Sequence, residues 1–197
     1  MSVDYTQAEI LAMDQAIGER QPPEITPAQH LRAARVTAFA LFGNGQGIVV
    51  RLRAGETIQN FSLNPPVAGY LMKAIMDVAL VAAWKIGGEL LHPDASDHGM
   101  TNPVPDAERR WEKDLKKGRV IAPDLEALNR SPEVVSINGR GSLDEFAVTF
   151  VMENGGLVHF RLNPLVAWKM AIGITEIGMA SDWWDGDGNL VPGRALN

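Results

Sequence analysis

The chain contains no cysteine. That excludes disulfides, thiolate catalysis and cysteine-ligated zinc or iron–sulfur centres. Aromatic residues make up only 7%, including two tyrosines, so a surface that stacks bases has few rings to draw on. Cations are outnumbered, 18 Lys and Arg against 24 Asp and Glu, for a net charge of -6. This argues against a protein basic all over, while leaving room for a local basic face. No GxSxG or HExxH motif is present, and no glycine-rich loop has phosphate-loop or dinucleotide spacing. Nothing in the sequence supports an enzyme, and no cofactor is implied. The first residues lack a basic segment followed by an apolar one, so no secretory signal is expected and the compartment expected is the cytoplasm. The one long apolar run, Val67 to Ile86, is interrupted by Lys73, Asp77 and Lys85. A lysine and an aspartate in a lone span would cost about 2.5–3.5 kcal/mol each. A buried helix with Lys73 and Asp77 paired four residues apart is expected instead, without a membrane.

What is present is ordinary for a folded protein: 46% apolar and 21% charged residues in a chain of 197, enough to bury one substantial core. The organising feature is an internal repeat. Phe61-Ser-Leu-Asn-Pro-Pro-Val-Ala68 recurs as Phe160-Arg-Leu-Asn-Pro-Leu-Val-Ala167, 99 positions later. The same offset aligns Val49 with Val148, Ile75 with Ile174, Trp84 with Trp183 and Leu91 with Leu190. Upstream, Asn44-Gly-Gln-Gly47 echoes Asn138-Gly-Arg-Gly141 at an offset of 94, which implies about five extra residues in the second copy.

Each copy reads as strand, strand, strand, helix. Val36 to Phe42 is β-branched and aromatic, Asn44-Gly45 is a hairpin signal, and Ile48 to Arg53 alternates apolar with arginine. A third strand runs from Thr57 to Leu63. Asn64 then caps a helix that opens on Pro65, where a missing N–H costs nothing, and Gly87-Gly88 is expected to end it. The second copy repeats this over Val134–Ile137, Phe146–Met152, Leu157–Leu162 and a helix from Asn163-Pro164 to about Ser181. The expected organisation is a single domain over 1–197: an N-terminal helical arm (1–35), repeat one (36–93), a polar helical insert (94–133) and repeat two (134–192). The arm holds helices from Thr6 to Ile17 and Thr26 to Arg35; the insert holds a charged helix from Asp106 to Lys117.

The fold class expected is α+β: a duplicated β-β-β-α unit forming a pseudo-two-fold antiparallel sheet on two apolar helices, with extra N-terminal and central helices. Because both repeat helices are apolar nearly all round, they are expected to pack on each other or on a partner. Tyr70, Met72, Met76, Met170 and Ile177 are the candidate interface residues of a homo-oligomer or protein complex. The leading functional expectation is therefore a non-enzymatic binding or assembly protein, probing partners with its helices and its outer sheet face.

Three other features carry chemistry. If Phe61, Leu63, Phe160 and Leu162 point inward, strand period puts His159 and Arg161 outward. Arg51, Arg53 and Arg140 join them, with Phe150 as the strand aromatic; the second expectation is thus single-stranded nucleic-acid binding through Arg51, Arg53, Phe150, His159 and Arg161. The loop bearing His92, Asp94, Asp97 and His98 is the one cluster with metal-ligand or hydrolase chemistry. Asp185-Gly-Asp-Gly-Asn189 begins like a calcium loop but has Leu190 where glycine belongs and Leu196 where glutamate belongs, so it reads as a turn. The glycine turns at 43–47 and 138–141 read as hairpin turns.

At the level of three strands and a helix, repeated around Phe61-Ser-Leu-Asn-Pro and Phe160-Arg-Leu-Asn-Pro, the chain resembles the whirly family of single-stranded nucleic-acid binders. Those proteins repeat a sheet-then-helix unit and self-associate. The resemblance covers 36–92 and 134–184. It departs from the family in having three strands per unit where the family has four, and in lacking a lysine-rich motif.

Overall fold

The computed structural model describes residues 32–43, 47–96 and 125–184, with positions 12, 15 and 26. The expected helical arm, the charged helix at 106–117 and the 185–189 turn lie outside the described residues, apart from those isolated positions.

The chain enters a sheet at β1 (Ala34–Arg35) and continues through β2 (Ala38–Gly43), β3 (Ile48–Ala54), β4 (Thr57–Leu63) and helix α1 (Pro65–Val81). A small hairpin of β5 (Lys85–Ile86) and β6 (Glu89–Leu90) follows. After the short helix α2 (Leu125–Asn129) come β7 (Glu133–Gly141), β8 (Phe146–Met152), β9 (Leu157–Leu162) and helix α3 (Pro164–Ala180). The chain is therefore α+β.

The main sheet has seven strands in the order β1-β9-β8-β7-β4-β3-β2. It is mixed, not antiparallel as the sequence suggests. Within each run of three strands the pairing is antiparallel, but β4 pairs with β7 and β1 with β9 in parallel, over two residues each. Between β4 and β7 the chain passes through helix α1, and a helical crossover returns it in the same direction; β1 instead leads directly into β2 and lies beside β9 at the far end of the strand order. The outermost strands, β1 and β2, are separated by only two residues. Val36 N–H donates to the Arg161 carbonyl in β9, and Thr37 N–H to the Arg53 carbonyl in β3, both at 2.8 Å. Consecutive residues thus hand the hydrogen bonding from one end of the sheet to the other, and the sheet closes on itself. Closure leaves few free edges, a liability in open sheets.

The core lies inside this curve. Phe61 meets Phe150 and Phe160 edge to face at 5.2 and 5.4 Å, and Phe150 meets Phe160 at 5.7 Å. Val50, Leu52, Leu63, Val148 and Leu162 fill the same face. Helices α1 and α3 share the core through Leu71, Ile75, Met170 and Ile174. Each starts on a side-chain cap: the Val67 N–H donates to Asn64 Oδ1 at 3.0 Å, the Val166 N–H to Asn163 Oδ1 at 2.8 Å, with proline in the first turn.

Two local expectations fail for identifiable reasons. Helix α1 ends at Val81, not near Ile86. Ala83 takes a left-handed φ of 48°, and the Trp84 N–H reaches back to the Ala79 carbonyl; burying Trp84 completely outweighs the roughly 1–2 kcal/mol that this backbone costs a non-glycine residue. Gly87 and Gly88 instead turn the β5–β6 hairpin with positive φ. Asn138-Gly-Arg-Gly141 is no turn: it lies inside β7, paired with Thr149 to Phe146. Its glycines let helix α1 approach the strand. A Cβ at Gly139 would stand 3.3 Å from Ala74 Cβ, and one at Gly141 only 2.0 Å from Val78 Cγ1. Among the described residues no helix is long and apolar enough to cross a membrane.

Candidate nucleic-acid interface

Register fixes which side chains leave the core. Phe61 pairs with Val50, and Phe160 with Val148, so their neighbours along each strand face outward. Across β7, β8, β9 and β1 this sets one row, Arg140–Ala147–Arg161–Arg35, and beside it a second, Asn138–Thr149–His159. The other half carries Ala40–Arg51–Asn60 and Ala38–Arg53–Ile58. Adjacent strands lie about 4.8 Å apart, so guanidinium groups of one row fall within reach of a single extended anion.

The seven strands of this sheet contain five arginines, one histidine and a single acid, Glu133. The sheet thus holds five of the 18 Lys and Arg but only one of the 24 Asp and Glu, and is basic within a chain of net charge -6. Along the face, Arg35 and Arg140 are exposed, while Arg51, Arg53 and Arg161 are half-buried. On the same face Val49, Ser136, Ala147 and Thr149 are buried.

Several of these groups are held in place. Arg51 Nη1 donates to Asn60 Oδ1 at 3.4 Å, and its Nε is buried without a hydrogen-bond partner. Arg161 Nε donates to the Ala33 carbonyl at 3.2 Å, and its Nη1 lies 3.7 Å from Glu145 Oε2. His159 Nδ1 and Thr149 Oγ1 are 2.9 Å apart. Arg51 is thus held through Nη1, and Arg161 through Nε and Nη1; a fixed guanidinium fork is the geometry that suits phosphate oxygens.

Arg51, Arg53, His159 and Arg161 thus share the sheet face opposite Phe61 and Phe160, each of them half-buried. Phe150 is corrected. It sits in the core at 1% exposure, because it shares the inward parity of Phe146 and Val148, and it cannot stack a base. The outward aromatic is Phe42, half-buried and paired with Val49. Counting alternate residues from Phe39 and Leu41 identifies it. Arg35 was hidden by its reading as the end of a helical arm.

The helix candidates do not form one exposed patch. Met72 and Met170 are buried within the chain, with Thr175 Oγ1 donating to Met72 Sδ across the helix pair at 3.0 Å. Met76 and Ile177 are half-buried against the core, and Tyr70 is exposed. In the 92–98 loop, His92 Nδ1 accepts the Asp94 N–H at 3.2 Å and its ring lies against Trp168. Asp97 and His98 lie outside the described residues, and among the described residues no three acidic or histidine side chains gather as a metal site.

A second feature adjoins the arginine face. Because β4 and β7 pair only at Ser62–Leu63, the start of β4 diverges from the β8–β9 turn. The gap is a cavity of about 490 Å³, lined by Gln59, Asn60, Phe61, Pro132, Glu133, Met152, Glu153, Asn154 and Val158. Its lining combines four apolar residues with three amides and two carboxylates. No family model, no curated protein and no solved structure matches this chain.

Proposed function

We propose that this chain is a binding protein whose outer sheet face takes single-stranded nucleic acid. The observation that carries the reading is the basic charge of the sheet: five arginines and His159 against one acid, within a chain of net charge -6. Phosphate contacts supply most of such binding and need no sequence motif. Fold resemblance adds nothing by itself. A mobility shift of a labelled oligothymidylate at low salt tests it; complete absence of a shift with up to tens of micromolar protein would remove the reading.

We further infer that the scaffold arose by internal duplication. Equivalent pairs follow a constant offset of 98 in the first two strands of each run, as Gly43–Ile48 and Gly141–Phe146 show. The offset becomes 99 from the third strand onward, where the β8–β9 turn is one residue longer, and persists through the caps Asn64 and Asn163 to the left-handed residues Ala83 and Asp182. In this register Val49 corresponds to Ala147 and Val50 to Val148, so neither the alignment of Val49 with Val148 nor the echo at an offset of 94 is kept.

A second reading, assembly through the helices, is supported by Val81 and Met179 near the ends of α1 and α3, at 81% and 56% exposure. Light scattering tests it: a monomer at all concentrations would leave those residues as ordinary surface.

A further inference from the structure

We infer that the cavity between β4 and the β8–β9 turn receives one unstacked base of the bound strand, with guanine preferred. The inference rests on the nucleic-acid reading above and adds a base-reading pocket to it.

Position comes first. Asn60 lines the cavity and also accepts from Arg51. Asn60 therefore joins the arginine face to the cavity, whose Gln59, Phe61, Met152 and Val158 share the inward parity, so a base would enter through the gap between β4 and the β8–β9 turn.

Chemistry comes second. The apolar lining of Phe61, Met152, Val158 and Pro132 suits the flat face of a base. The other lining residues carry groups that read a base edge. Asn60 Oδ1 is occupied by Arg51, which leaves its Nδ2 to donate. Asn154 Oδ1 accepts the Gly156 N–H at 2.9 Å, which leaves its Nδ2 as the group able to donate. Glu133 and Glu153 accept only, and the Glu153 N–H donates to the Glu133 carbonyl at 3.1 Å, fixing the two residues side by side. Amide donors facing carboxylate acceptors complement guanine, which presents an O6 acceptor beside N1–H and N2–H₂ donors on its Watson–Crick edge. Thymine offers one donor between two acceptors and leaves a carboxylate unmet.

Charge comes third. Two carboxylates repel phosphate, so the backbone stays over the arginines and only the base turns inward. This division assigns an orientation to the strand: phosphates on Arg51 and Arg53, base edge on Glu133 and Glu153. The volume, about 490 Å³, admits a purine with water to spare and falls in the range of small-ligand pockets.

The test measures fluorescence anisotropy with the full chain and two 20-mers, oligothymidylate and the same strand carrying four isolated guanines. The guanine strand is expected to bind about tenfold tighter. The double variant Glu133→Gln/Glu153→Gln should remove that preference and leave, or slightly raise, oligothymidylate affinity. Equal affinity for both strands, or a preference that survives the double variant, overturns the pocket while the outer face stands. Binding of neither strand overturns the underlying nucleic-acid reading as well. Unchanged circular dichroism and melting temperature in the variant exclude misfolding as the cause.

Discussion

Replacing Gly141 with alanine tests the packing of helix against strand. The added Cβ would meet Val78 Cγ1 at 2.0 Å, Cγ2 at 2.8 Å and Cβ at 2.9 Å. Rotation of Val78 cannot clear all three contacts, since its own Cβ is among them and a β-branched side chain in a helix has one favoured rotamer. Either the last turns of α1 or the end of β7 must move. Overpacking of this kind costs about 1–3 kcal/mol. Val78→Ala alone removes two half-buried methyl groups and should cost about 1 kcal/mol. In the double variant the nearest contact becomes 2.9 Å, which a small shift relieves. The double variant should therefore be about as stable as Val78→Ala, giving a coupling equal to the Gly141→Ala cost, about 1–3 kcal/mol. Urea denaturation of the four proteins, followed by tryptophan fluorescence, measures it. A Gly141→Ala cost below about 0.5 kcal/mol, or strictly additive costs, would show that Gly141 does not sit against the helix.

Two further stability experiments use the near-equivalence of the two halves. Trp84 Nε1 donates to the Ser142 carbonyl at 2.8 Å, whereas Trp183 Nε1 is buried without a partner; Trp84→Phe is expected to cost about 1 kcal/mol more than Trp183→Phe, and equal melting shifts would contradict that. Asn64→Ala and Asn163→Ala each lose a helix cap worth about 1 kcal/mol, and Asn163→Ser, which keeps a cap oxygen and removes a buried unpartnered Nδ2, should be more stable than Asn163→Ala by chemical denaturation.

Much of the architecture is legible in the sequence, because its strongest signals are local. Asn-Pro at 64–65 and 163–164 states both the cap and the first helical turn, and alternation places Phe61, Leu63, Phe160 and Leu162 inward. What is not legible is long-range. Two-residue parallel junctions leave no periodic trace, so closure of the sheet through Val36 and Thr37 cannot be read from either segment alone. Glycine at 139 and 141 has the composition of a turn; only the helix lying on the strand explains it. Phe150 shows the same limit. An aromatic on a strand looks equally suited to stacking a base or filling a core, and the register with Val158 decides. The arginine face was accessible from alternation, whereas the cavity beside it depends on where β4 and β7 part.

Binding of a nucleic-acid backbone by the arginine face would show itself in the salt dependence of oligothymidylate affinity. With five arginines engaged, the logarithm of the association constant should fall with the logarithm of salt concentration at a slope of about -3.5. In Arg51→Gln/Arg53→Gln/Arg161→Gln the slope should flatten to about -1.4, with weaker binding at every salt concentration. A slope unchanged by the triple substitution, or no binding by the wild-type chain at about 50 mM salt, would mean that these arginines do not hold a nucleic-acid backbone.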